Sequence, residues 1–201
     1  HIAGEKCAAL RVPQIVITVA GETDQKERIA DALLTARAGQ DIVYAGWAGL
    51  EGMLRIIGEK EAELRERFTP AFIGQMKAYD SELCGLSKIA VADAMGVSVI
   101  RQVYRGGILA SLWDLAKDTE LGLNLDLKKI AVRQETIEVC EHFRLNPYQL
   151  ASGGSFLMLT ENGEALADAL NQKGIQAAVI GQLTDSNDKV IHNGEDMRYI
   201  D

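Results

Sequence analysis

Short apolar runs of strand length alternate along this chain with segments whose apolar residues recur every three or four positions, and glycines mark most of the joints. This alternation restricts the fold more than any other feature. Period-two stripes and 3.6-residue stripes each need a partner layer, so a chain that switches between them folds as α/β or α+β and not as a bundle or a sandwich. Strands are expected at 12–20, which contains Pro13 near its start, and at 41–45, 97–104, 121–125, 156–160 and 177–180. Helical spacing covers 24–38, where Gly39 is placed as the stop, and 53–57, entered through Gly46, Gly49 and Gly52. Further helices are expected to start at Thr69-Pro70, to span 87–94, to run from Gly106-Gly107 to about Lys117, and to span 133–143 and 163–173. Over 133–143 the spacing places Ile137, Cys140 and Phe143 on one face, while Gly174 stands where a C-cap belongs. Asn146-Pro147 reads as a turn or a helix start, and Asn193-Gly194 as the turn of a closing hairpin. A hairpin at the end makes the sheet mixed, so the expected class is α+β: a mixed β-sheet covered by helices.

The chain's 201 residues, 47% of them hydrophobic, suffice for one sizeable core. A formal charge of -8 repels phosphate backbones, and no run of lysine or arginine forms a basic stripe, which argues against nucleic acid as a partner. The apolar stretches at 15–20 and 42–50 fall well short of the roughly 20 residues that span a bilayer, so no membrane partner is expected. Cys7, Cys84 and Cys140 are odd in number and widely spaced without a CxxC, which predicts neither a disulfide framework nor a zinc site and fits a cytoplasmic location. The sequence opens on His1 with no basic region leading into an apolar one, which predicts the absence of a secretory leader and a piece of something longer.

Local motifs for chemistry are sparse. His1, His142 and His192 lie far apart and form no metal-ligand spacing, so no metal site is expected. There is no Walker A loop, no GxGxxG and no GxSxG elbow, and no catalytic residue is assigned. Two glycine turns could present backbone N–H groups to an anion. One is Arg105-Gly106-Gly107, leading into a helix, with Arg101 upstream; the other is Ser152-Gly153-Gly154-Ser155. These eight residues are the candidate ligand-binding set. For each turn the alternative is a purely structural chain reversal.

The segments AGQDIVYAGWAGLEGM, GVSVIRQVYRGGILASLWDLA, GLNLDLKKIAVRQETIEVCEHFRLNPYQLASGGSFLML and KGIQAAVIGQLT resemble, in order and spacing over about 38–190, the C-terminal domain of the AIR-synthase-related (PurM/HypE-like) family. The stretch LDLKKIAVRQET points to the hydrogenase-maturation, HypE-like branch. The resemblance implies a boundary between 1–38, a remnant of an N-terminal domain or a linker, and 39–201, the C-terminal domain. It also implies a family architecture in which the N-terminal domain binds ATP and Mg2+ through an acidic motif and forms the dimer, while the C-terminal domain closes over substrate.

Three departures shape the functional expectation. Gly4-Glu5-Lys6-Cys7-Ala8-Ala9 resembles the acidic motif with Lys6 in place of a metal-binding aspartate. Where the family carries a His-Asp-Val-Thr-Glu-Gly-Gly type of motif, this sequence has Arg101 and Gln102 through Gly106-Gly107, losing groups that titrate or contact metal. The chain ends Arg198-Tyr199-Ile200-Asp201, without the terminal cysteine of the HypE-like branch. The expectation is a domain that is non-catalytic alone and needs no cofactor by itself. It would bind a small anionic ligand or a maturation-protein partner, and could form a homodimer. The alternatives are a fragment of an ATP-dependent enzyme that phosphorylates an amide-like oxygen, and a structural module.

Overall fold

The computed structural model describes residues 33–200, so the strand expected at 12–20, and all but the end of the helix expected at 24–38, lie outside the described residues. Within them, 33–38 contribute only a 3-10 turn at Leu33–Thr35, and the helical pattern does not extend to Ala38.

Seven strands form one mixed sheet in the order β2-β4-β1-β5-β3-β6-β7. They are β1 (Asp41–Ala45), β2 (Val99–Gln102), β3 (Gly122–Asp126), β4 (Phe156–Thr160), β5 (Ala177–Thr184), β6 (Lys189–Asn193) and β7 (Asp196–Tyr199). All neighbours are antiparallel except β3 and β6, which run parallel. The helices are α1 (Leu50–Leu64), α2 (Pro70–Lys77), α3 (Leu86–Ala94), α4 (Gly107–Thr119), α5 (Gln134–Phe143) and α6 (Gly163–Gln172). The expected α+β class with a mixed, helix-covered sheet is what the chain adopts.

β1 is buried on both faces, which explains why it reads as a continuous apolar run and not as an alternating one. Ile42 and Tyr44 join Leu157 and Leu159 of β4 on one face, packed by Ile108, Leu112 and Leu115 of α4. Val43 and Ala45 join Phe156 and Met158 on the other, covered by Leu166, Ala167 and Leu170 of α6 and by Ala92 of α3. A third cluster lies off the sheet, where Met53 and Ile57 of α1 meet Ile73 and Met76 of α2 and Val139 of α5.

Local signals fare unequally. Thr69 caps α2, its hydroxyl accepting from the Phe72 N–H at 3.3 Å, with Pro70 in the first turn. Gly174 takes φ +75 after α6, and the Ile175 N–H reaches back to the Leu170 carbonyl at 3.1 Å, closing a Schellman-type end. β2 is shorter than 97–104 because Val97 is held by the end of α3, its N–H bonding the Ala92 carbonyl. β5, in contrast, runs beyond 180 to Thr184, where Gly181 lies so close to β3 that a Cβ would sit 2.1 Å from the Asn124 carbonyl oxygen. On α5 the buried residues are Thr136, Val139 and Cys140, so the apolar face is turned by about one position and Ile137 is half-buried. The closing hairpin exists one residue later than expected. Asn193 pairs with Asp196, the turn is Gly194-Glu195, and Gly194 alone has positive φ, the pattern of a type II′ turn.

Packing predicts a steep contrast in sensitivity. Leu112→Ala removes a fully buried side chain between α4 and the sheet and should cost about 2–5 kcal/mol. Met197→Ala on the exposed β7 should stay within about 0.5 kcal/mol. Urea unfolding of the two variants checks this, with a fall in the midpoint for the first only.

Candidate functional site

The two glycine turns picked out in the sequence come together. β2 and β4 are neighbours, and the ladder continues past β2 because the Val103 N–H bonds the Ser155 carbonyl at 2.9 Å. Gly106 and Gly107 both take left-handed conformations, with φ of +82 and +69. Gly107 also lies so close to the segment before the second turn that a Cβ there would sit 2.3 Å from the Tyr148 carbonyl oxygen and 2.7 Å from that of Leu150.

The second turn is occupied by the fold's own contacts. The Ser152 hydroxyl accepts from the Gly49 N–H at 2.8 Å and donates to the Leu150 carbonyl at 3.0 Å. Ser155 accepts from the Tyr44 hydroxyl at 3.1 Å and donates to the Ser152 carbonyl at 2.5 Å. The Gly153 N–H donates to Glu51 at 2.8 Å, and Glu51 also pairs with Arg55. Gly154, at φ +79, packs against Leu83, whose carbonyl oxygen would lie 2.2 Å from a Cβ. Ser152 and Ser155 are both buried. Burial pushes the Tyr44 phenol well above its ordinary range, against the smaller opposing effects of Ser155 and Ser152, so it stays protonated and acts as a donor.

The arginines divide. Arg101 on β2 is held by Asp118 of α4 at 2.5 Å, with its Nη1 buried and unpartnered. Arg105 is exposed, and among the described residues its side chain makes no hydrogen bond or ion pair. Its turn leads into α4, whose N-cap Gly106 supplies no side-chain acceptor.

None of the eight residues lines either of two clefts. One, of about 520 Å3, lies between the 81–88 segment, Trp47, Arg133 and the loop before β5. The other, of about 820 Å3, lies at the opposite end of β1 around Asp41, Asp126 and His192. The first contains the strongest cluster of charged and aromatic groups. The Arg133 guanidinium lies 4.2 Å from the Trp47 ring centre and 3.9 Å from that of Tyr79, and forms an ion pair with Glu82. Sequence reasoning missed it. Arg133 marked only a helix start, and Lys88 stood unremarked within the helix expected at 87–94. Among the described residues no group of three or more His, Cys, Asp or Glu side chains stands together to hold a metal ion, so no metal step is derived. No described helix is long and apolar enough to cross a membrane. Cys84 is exposed while Cys140 is buried, its thiol pushed up to about 11 by desolvation.

A mixed sheet covered on both faces, with glycine turns meeting at one end, defines an α+β domain over the described residues. Residues 37–193 match the family profile described as AIR synthase related protein, C-terminal domain, and the chain belongs to that family. Among individual relatives, it is 26% identical over 153 residues to the carbamoyl dehydratase HypE of Rhizobium leguminosarum bv. viciae, covering 74% of this chain and 41% of that protein. The crystal structure of E. coli HypE, a hydrogenase maturation protein, superposes with a TM-score of 0.67 at 21% identity, covering 84% of this chain and 51% of the other. A HypE–HypF complex gives a TM-score of 0.63 at 21% identity, covering 84% and 54%. The chain therefore spans about half the length of these relatives.

Two substitutions test the joint between the turns. Gly107→Ala combines a left-handed backbone with contact against two carbonyls and should cost roughly 2–5 kcal/mol. Tyr44→Phe removes one buried hydrogen bond while leaving Ser155 its own acceptor, and should cost about 1 kcal/mol. Chemical denaturation of both variants gives the order, and a Gly107→Ala protein as stable as the parent contradicts the packing described.

Proposed function

We propose that this chain acts as the C-terminal, substrate-side module of a HypE-like hydrogenase maturation protein, and that by itself it binds without turning over. The observation that carries this reading is the family match over 37–193, combined with Arg101 and Gln102 on β2 at the positions where the resemblance implies titrating groups. Arg101 is committed to Asp118, Gln102 does not titrate, and Arg105, without a side-chain partner among the described residues, stands beside an α4 N-terminus that no side chain caps. Such a turn suits a small anion better than proton transfer. Gly106 and Gly107 supply the backbone shape, and Gly107 packs against the 148–150 segment that leads into the 152–155 turn.

On this reading ATP and Mg2+ belong to a part of the family architecture outside the matched stretch, and the physiological setting is a cytoplasmic complex with a maturation-protein partner or a homodimer. The solved HypE–HypF complex supports the partner class, since about half of one chain of that complex has a similar fold. The exposed thiol of Cys84 suits a reducing compartment. The competing reading is a fragment of an ATP-dependent enzyme that phosphorylates an amide-like oxygen.

Thermal-shift and calorimetric titration with ATP-Mg2+, AMP, ribose phosphates and carbamoyl phosphate separates the two. Binding to a small anion at a hundredfold excess over Kd should raise the melting temperature by roughly 5–10 °C, with the rise lost in Arg105→Glu and no ATP hydrolysed. Robust ATP turnover abolished by Arg105→Glu would establish the enzyme reading instead.

A further inference from the structure

The cleft of about 520 Å3 beside Arg133 is built around a buried ammonium that no carboxylate pairs among the described residues. Lys88, on the first turns of α3, is 6% exposed. Its Nζ donates to the carbonyls of Glu82 and Cys84 at 3.0 and 3.2 Å. An ammonium has three donors, so one N–H remains beyond these two contacts. Among the described residues no carboxylate lies within ion-pair distance of Lys88, because Glu82 turns its side chain to Arg133. Desolvation pushes the Lys88 ammonium below its ordinary range, with Glu82 a smaller opposing influence. Lys88 and Arg133 against Glu82 leave the cleft with one positive charge in excess.

The wall that carries these groups is rigid. The 81–85 segment is fixed at Leu83 by the close approach of Gly154, and at Gly85 by the Phe156 ring, which would lie 2.6 Å from a Cβ. Arg133 is clamped between Trp47 and Tyr79. Gly85 gives α3 no side-chain cap, so the first N–H groups of that helix and the Ser87 hydroxyl are available next to Lys88. A cleft of this size also accommodates an organic body behind a charged group.

We infer that this cleft binds a small molecule through an oxyanion, a carboxylate or a phosphate group, seated between Lys88 and Arg133. The site is separate from the Arg105 turn and does not depend on the function proposed above. Glu82 acts within it as a competing internal anion, occupying Arg133 until a ligand arrives.

Cys84 lines the same cleft and is exposed, so its alkylation reports occupancy. The full chain is treated with iodoacetamide across separate millimolar series of inorganic phosphate and of acetate, and modification of the Cys84 peptide is followed by mass spectrometry. Saturable protection by either anion is expected, and the anion that protects identifies the ligand group. Lys88→Met should weaken protection about tenfold or more, the loss expected for a charge-assisted contact. Glu82→Gln should strengthen it severalfold by removing the competitor. Arg105→Glu should leave it intact, which distinguishes this cleft from the turn after β2. Absence of protection by both anions overturns the inference, as does protection that survives Lys88→Met in a protein that still melts cooperatively. Should Lys88→Met fail to fold, Glu82→Gln decides: tighter protection supports the site, and unchanged or weaker protection overturns it.

Discussion

The hydrogen bond from the buried Tyr44 hydroxyl to Ser155, continued through the Ser152 carbonyl, and the bond from the Gly49 N–H to Ser152, join the central strand to the loops at its end. β1 is the strand whose two faces carry the two sheet cores, so whatever fixes the chain as it leaves β1 also fixes where α1 starts and how the third cluster docks. Gly49 caps α1 in a left-handed conformation and gives its N–H to Ser152. One residue into the helix's first turn, Glu51 returns the contact by accepting from Gly153. Buried polar groups arranged this way cost stability unless every partner is present, and here each serine hydroxyl both donates and accepts. The 152–155 turn is thus a polar clasp, and its glycines allow close approach to Leu83 and to Glu51.

This clasp explains what could be read in the sequence and what could not. β1, β4 and the start of α2 were legible because their signals are local: a continuous apolar run, and a threonine followed by proline. The pairing of the two glycine turns was not, since nothing in the spacing of 106–107 and 152–155 states that β2 and β4 lie side by side. Gly52 looked like punctuation before a helix, yet it lies inside α1, where its N–H bonds the Ala151 carbonyl at 2.8 Å and a Cβ would meet Leu150. A glycine selected for tertiary approach carries the same letter as one selected for a turn. The buried roles of Ser152 and Ser155, in a turn read as presenting backbone N–H groups, were hidden for the same reason: their partners Gly49 and Tyr44 are about a hundred residues away in sequence.

The candidate site was legible in part. The family match places the domain, and Arg105 with Gly106-Gly107 stands where the sequence indicated, at an exposed turn entering α4. Arg101 was grouped with Arg105 from its nearness in sequence, but the strand directs it to α4, where Asp118 holds it. Arg133 and Lys88 escaped notice because each is an ordinary residue in its local pattern. Their significance comes from the aromatic rings on either side of one and from the burial of the other, which are properties of packing alone.

The sheet gives these separate features a common direction. Ala45 ends β1 opposite Phe156, Gln102 ends β2 opposite the same residue, and Ala177 opens β5 opposite Ala45. The loops that leave β1 and β2 and those that enter β4 and β5 therefore emerge at one end of the molecule. That end carries the Arg105 turn, the serine clasp, Trp47 and the loop before β5 that lines the smaller cleft. The chain's net charge is -8, yet the exposed guanidinium of Arg105 and the buried ammonium of Lys88 both belong to this end. These two cations are what the proposed anion binding rests on, against an overall charge that repels anions. The antiparallel pairing of β4 with both β1 and β2 is what produces this: it brings loops distant in sequence to one rim.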